Sequence, residues 1–128
     1  AAQKFIVLHL MGSHPVFHRR FPDEDTVFDE TSYLDDGLDD YAKKIQASYD
    51  NSVRYTDKII GSVISKLDYQ PSNSSLLFFS DHGVALPQKK GDLLGHGSSD
   101  LMHEVPFFIW LKDKENGFYD MQDVLGLS

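Results

Sequence analysis

Apolar and polar positions divide the 128-residue chain into segments of different period. Residues 4–11, KFIVLHLM, make a short apolar run with β-branched and aromatic members, the length of a strand buried in a parallel sheet. Gly12-Ser13-His14-Pro15 then gives a loop signal, because glycine and proline both punctuate regular structure. Residues 16–37 hold Pro22, Gly37, many acids and scattered aromatics at Phe17, Phe21, Phe28 and Tyr33. This reads as a long, partly packed excursion, and loops of that length in compact domains usually serve a function. From Leu38 the period becomes helical. Leu38, Tyr41, Ala42, Ile45, Tyr49, Val53, Thr56, Ile60, Val63, Ile64 and Leu67 fall at helical spacing on one stripe. Asp35 or Asp36 is expected to cap this helix, Asp39 and Asp40 to sit in its first turn, and Pro71 to prevent its continuation.

Residues 75–80, SLLFFS, predict a second buried strand, followed by a loop rich in glycine and histidine over residues 81–100. Residues 105–111, VPFFIWL, predict a third strand, with Pro106 at an edge or beside a bulge. The order strand, long helix, strand implies a right-handed parallel crossover and therefore an α/β sandwich. The length suits one domain over residues 1–128.

Composition narrows the function. A hydrophobic content of 41% supports a real core and argues against disorder. A net charge of −8 argues against a nucleic-acid surface, which would be basic. The acids between residues 23 and 40 read as a solvated loop. With no cysteine there are no disulfides and no thiolate metal ligands. No apolar run approaches the roughly 20 residues that cross a bilayer. The apolar run starts almost at the amino end, so a fragment of a longer protein is expected.

In open α/β sheets, ligands bind beyond the carboxyl ends of the strands. His9, Ser13 and His14 follow the first predicted strand; Asp81 and His82 follow the second, with His96 further on. Carboxylate oxygen and imidazole nitrogen are donors that zinc accepts at catalytic sites. Neighbours on an extended strand face opposite ways, but a turn opened by Gly83 lets Asp81 and His82 bend toward one ion. Blander readings stand beside this. An isolated Asp-His pair is common, and His9 defaults to a hydrogen-bonded core histidine. His18 and His103 read as surface or structural residues. Arg19-Arg20 suits either a phosphate clamp or a solubilising surface. Asp50, Asn51 and Asp57 on the helix most simply contact neighbouring loops. Ser13 and Ser80 lack the GxSxG setting of a nucleophile.

The motifs occur in one order: VLHLMGSH at 7–14, RRFP at 19–22, YDNSVRYTDKII at 49–60, FFSDHG at 78–83, GHG at 95–97 and VPFFIW at 105–110. That order resembles the catalytic domain of the phosphoethanolamine transferases, members of the alkaline phosphatase and sulfatase superfamily. The resemblance implies an α/β/α sandwich with a mainly parallel sheet, of which this chain is the carboxy-terminal part. It implies a periplasmic domain anchored in the bacterial inner membrane by upstream helices. It further implies a threonine nucleophile on zinc, carrying phosphoethanolamine from phosphatidylethanolamine to a glycolipid or glucan of the cell envelope. By motif position, Asp81 and His82 would be zinc ligands. His14 and His96 would be catalytic, binding the phosphoryl group or an additional zinc.

Departures from the family pattern are concrete. The nucleophile and the glutamate ligand lie upstream of HLMGSH, so two of the usual first-shell groups are missing here and the fragment alone is expected to be inactive. Val84 stands where a glutamate often follows DHG, Leu86-Pro87 replaces a following Leu-Gly, and cysteines common in the 23–40 region are missing. Alternatives within the superfamily are a sulfatase, a phosphodiesterase or a phosphoglycerol transferase. A non-catalytic binding module that keeps the fold is a further alternative. A three-stranded fragment leaves sheet edges open, which a dimer of the chain would cover.

Overall fold

A computed structural model describes residues 3–33, 37–87, 94 and 102–113. Its backbone is one α-helix, α1 (Asp40–Asp68), and two strands, β1 (Ser74–Phe79) and β2 (Phe107–Lys112), preceded by short 3-10 turns at Phe17–Arg19, Asp23–Asp25 and Glu30–Ser32. The helix predicted from the apolar period is present and 29 residues long. Its cap differs from expectation. Asp39, the last residue before the helix, accepts a hydrogen bond from the Ala42 N–H at 2.9 Å. Asp35 and Asp36 lie outside the described residues. At the other end Lys112 of β2 donates to the Asp68 carbonyl and, at 3.2 Å, to that of Gln70, satisfying groups that a helix terminus leaves open.

The buried face of α1 is not the expected stripe. Ala42, Ala47, Asn51, Ser52 and Ile60 are buried, whereas Tyr41 and Val53 are largely exposed. Small and polar residues line the buried side because the 16–33 segment packs there by main-chain contact. Asn51, only 2% exposed, explains how. Its Oδ1 accepts from the Val27 N–H at 2.8 Å and the Phe28 N–H at 3.0 Å, while its Nδ2 donates to the Phe28 carbonyl at 2.8 Å. One amide thus replaces the ladder partner that an extended segment lacks. Phe17 fills the same face, buried and edge-on to the Tyr49 ring with centroids 5.2 Å apart.

The excursion is therefore partly packed, as its aromatics suggest, but its acids are not all solvated. Asp25 is buried and holds Lys58 Nζ at 2.7 and 2.9 Å, with Arg54 Nη1 at 3.9 Å. Asp29 caps the Glu30–Ser32 turn by accepting from Thr31 N–H and Oγ1, and hydrogen bonds from the Thr31 side chain and backbone lower its pKa. Tyr33 donates its hydroxyl to Asp50, which Gln46 also reaches at 3.2 Å. Burial first, and then the Asp50 carboxylate, push the Tyr33 pKa well above its ordinary value.

The expected parallel crossover links residues 4–11 with 75–80, whereas the pair that forms among the described residues joins the second and third predicted strands. β1 and β2 are antiparallel, with Leu76 opposite Trp110 and Phe78 opposite Phe108, so these two do not form a parallel pair. Apolar runs of this length specify a strand but not its partner or direction. Neither strand is buried on both faces: Leu77, Phe79 and Phe107 are exposed, while the Phe78 and Phe108 rings meet at 5.3 Å. Residues 4–11 form no strand; they are without regular structure and exposed, Phe5 at 92%. A ladder partner, more than propensity, makes a strand, and these residues have none here. His9 is accordingly exposed, not a core histidine.

Asn51→Ala is expected to lower unfolding free energy by about 2–3 kcal/mol, because it leaves backbone groups of residues 27 and 28 unpaired. A change below about 0.5 kcal/mol in urea unfolding would contradict the bridge. The tyrosine pair gives a pH test. A tyrosine whose folded pKa is raised binds its proton more tightly folded than unfolded, so its contribution is complete below about pH 10 and is lost as pH rises beyond. Stability should fall above about pH 10, and Tyr33→Phe should flatten that decline; an unchanged slope would count against the Tyr33–Asp50 contact.

Candidate functional site

Two loops carry the residues singled out from sequence. The first is a tight turn over residues 11–14, closed by the His14 N–H donating to the Met11 carbonyl at 3.0 Å. Gly12 sits at φ +41°, a region open to glycine at little cost, and a Cβ there would meet Thr56 Oγ1 of α1 at 3.6 Å. The turn thus rests on the helix. Val16, two residues beyond His14, is left-handed at φ 67° and ψ 50°. For a β-branched residue this is a real outlier, costing roughly 1–3 kcal/mol, and it persists only where its surroundings over-determine the backbone. Phe17, buried beside it, is one such constraint. Arg20 is another: its Nε and Nη2 donate to the His14 and Pro15 carbonyls, each at 3.1 Å. The two arginines therefore part company. Both line a cavity of about 230 Å³ between the 10–12 segment and Tyr55 and Thr56 of α1, but Arg20 is half-buried and grips backbone, whereas Arg19 is exposed.

The second loop leaves β1. Ser80 donates its N–H to the Pro106 carbonyl at 3.3 Å, extending the strand pairing by a step, and Gly83 N–H donates to the Met102 carbonyl at 2.8 Å. Between these ties lie Asp81 and His82, both exposed. The Asp81 carboxylate makes no hydrogen bond or ion pair among the described residues. The Ser80 hydroxyl donates to the His82 carbonyl at 2.9 Å, and His82 Nδ1 lies 2.6 Å from the Gly83 carbonyl. A main-chain carbonyl at Nδ1 is the kind of contact that orients metal-binding histidines.

The expected residues meet only in part. Asp81 and His82 share one turn, and His14 is exposed on its own loop. Among the described residues no three histidine, aspartate or glutamate side chains gather as a metal-holding group. His96 lies outside the described residues. His18 and His103 are exposed, as expected of surface residues. The expected contacts of helix residues with neighbouring loops are present for Asn51 and Asp50, and Thr56 and Arg20 lie in the 49–60 and RRFP segments; Asp25, read only as one of the solvated acids, carried no signal of its buried ion pair.

Comparison with known proteins supplies what the geometry leaves open. The Sulfatase family model matches residues 1–123. Phosphoethanolamine transferase EptC of Escherichia coli strain K12 is 29% identical over 119 residues, 89% of this chain and 21% of its own length. Phosphoethanolamine transferase EptA of Salmonella typhimurium is 33% identical over 112 residues, 83% of this chain and 20% of its own. The Kdo(2)-lipid A phosphoethanolamine 7''-transferase of Escherichia coli strain K12 is 30% identical over 116 residues, 85% of this chain and 19% of its own. The chain thus spans about a fifth of the length of these relatives. No solved structure matches it. A helix-seated HLMGSH turn, an exposed Asp-His pair just after β1 and a family match over nearly the whole length agree: the chain belongs to the sulfatase family, with its alkaline-phosphatase-like α/β fold.

Proposed function

We propose that this chain is the carboxy-terminal part of the catalytic domain of a zinc-dependent phosphoethanolamine transferase. The acceptor in this reading is a glycolipid or glucan of the bacterial envelope, and the donor is phosphatidylethanolamine. The observation that carries it is the Asp81-His82 turn at the end of β1, set in a chain similar to named phosphoethanolamine transferases across most of its length. The lipid A in one relative's name supports a lipid acceptor. In this reading the catalytic domain faces the periplasm, the anchor lies upstream, and the wider domain is an α/β/α sandwich with a mainly parallel sheet. No helix among the described residues is long and apolar enough to cross a membrane.

The donor set fits zinc. Asp81 offers a carboxylate without a competing partner among the described residues, and the His82 ring is oriented through Nδ1 as a ligating imidazole would be. Both side chains are exposed, so an ion reaches them without rearrangement of a core. Bound there with ligands from upstream sequence, zinc would lower a nucleophile's pKa and offset charge on phosphoryl oxygens. His14 is then the group that donates to a phosphoryl oxygen or protonates the leaving group, and His96 serves alongside it. The turn on Gly12 and α1 sets where the His14 ring is presented.

The exposed apolar side chains of residues 5–8 and of Leu77, Phe79 and Phe107 fit packing against other parts of the same domain. For the chain by itself, dimerisation is the corresponding way to cover them, and a monomer that unfolds cooperatively at high dilution would contradict it.

Full-length protein is expected to hold zinc through dialysis, and Asp81→Ala or His82→Ala to lose it together with phosphoethanolamine transfer. Stoichiometric zinc surviving both changes would refute the assignment. The 128-residue chain alone is expected to bind zinc weakly, since two ligands leave a tetrahedral site half filled; a tight four-coordinate zinc in it would contradict this.

A further inference from the structure

We propose that Arg20 is a positioning residue for the His14 loop and not a phosphate clamp. This rests on the reading of His14 as a phosphoryl-site residue. The Arg20 guanidinium donates from Nε and Nη2 to the carbonyls of two consecutive residues, His14 and Pro15, at 3.1 Å each. An arginine fork that matches the paired oxygens of a phosphate is here spent on paired backbone oxygens. Those carbonyls flank the point where the chain changes course. On one side lies the 11–14 turn, closed by the His14 N–H and opened by Gly12 at φ +41°. On the other lies Val16 in the left-handed region, followed by a 3-10 turn whose own cap is the Arg20 N–H donating to the Phe17 carbonyl at 2.8 Å.

Arg20 therefore ties the loop twice, by its main chain to residue 17 and by its side chain to residues 14 and 15. The arrangement explains why Val16 keeps an unfavourable backbone angle. With Phe17 buried against Tyr49 and the two preceding carbonyls held, Val16 has no freedom to relax without breaking one of those contacts. The consequence for chemistry is preorganisation: the His14 backbone is fixed before substrate arrives, which sets the point from which its ring is presented. A loop loosened at this point loses rate more than affinity, because misplacement of a reacting group costs catalysis even where binding persists. Lysine cannot replace arginine fully, since one ammonium lacks the fork that spans both carbonyls.

The test is made in full-length protein, comparing wild type with Arg20→Ala and Arg20→Lys. Arg20→Ala is expected to lower kcat by about tenfold or more with KM for the lipid donor nearly unchanged, to shift the pH profile of kcat, and to speed amide hydrogen exchange at His14. Arg20→Lys should fall between, and added guanidinium should partly restore Arg20→Ala. A raised KM with kcat kept would instead make Arg20 a substrate contact and overturn the proposal. Unchanged exchange at His14 would overturn it too, whatever the kinetics. Exchange is measured without turnover, so a wild-type protein that transfers no phosphoethanolamine would sink the proposed function while the exchange comparison still decides the loop.

Discussion

The side-chain amide of Asn51 is where the first third of the chain is joined to the rest. A segment that runs from residue 16 to residue 33 without a strand partner must satisfy its N–H and C=O groups somewhere, and a buried helix face of alanines and serine offers few partners. Asn51 accepts twice and donates once to residues 27 and 28, and Asp25 with Lys58 and Asp50 with Tyr33 hold the segment on either side. Everything upstream inherits its place from this. Phe17 can be buried against Tyr49 only because the following segment lies along α1, and the HLMGSH turn rests on Thr56 of the same helix. The helix is thus less a covering layer than a ruler on which the first loop is laid out.

Much of this was legible in the residues, but unevenly. The 3.6-residue period of the 38–67 stretch sufficed to find α1, because apolar spacing reports the existence of a helix directly. It did not identify the buried face. Tyr41 and Val53 belong to the apolar stripe yet are exposed, while Asn51 and Ser52, polar by type, are buried. Hydrophobicity cannot signal a face that packs against a backbone, where small size and hydrogen-bonding capacity matter more. The cap was ambiguous for a related reason: Asp35, Asp36, Asp39 and Asp40 are all capable residues, and only the fold makes Asp39 the one that accepts from Ala42. The direction of the β1–β2 pair was not legible. FFS and FFIW read the same whether paired parallel or antiparallel, and their antiparallel register follows from contacts between segments far apart in sequence.

The site divides the same way. Asp81-His82 was singled out from its place at the end of a strand and before a glycine, and the structure puts both side chains, exposed, at a turn tied down by Ser80 and Gly83. The RRFP arginines offered two readings of equal standing. Both border one cleft, and geometry separates them by what they hold: Arg20 clamps the His14 and Pro15 carbonyls while Arg19 is exposed, which residue type alone does not distinguish. What unites both loops is presentation by main-chain ties and not by a packed polar core. That suits a site whose remaining members come from elsewhere in the sulfatase-family domain, since each half must hold its shape before the halves meet.

The central claim is that Asp81 and His82 form part of a zinc site, and anomalous diffraction at the zinc edge from crystals of the full-length protein tests it most directly. The account predicts a zinc ion about 2.0–2.2 Å from an Asp81 carboxylate oxygen and from His82 Nε2. A fully occupied zinc site that includes neither side chain would contradict it.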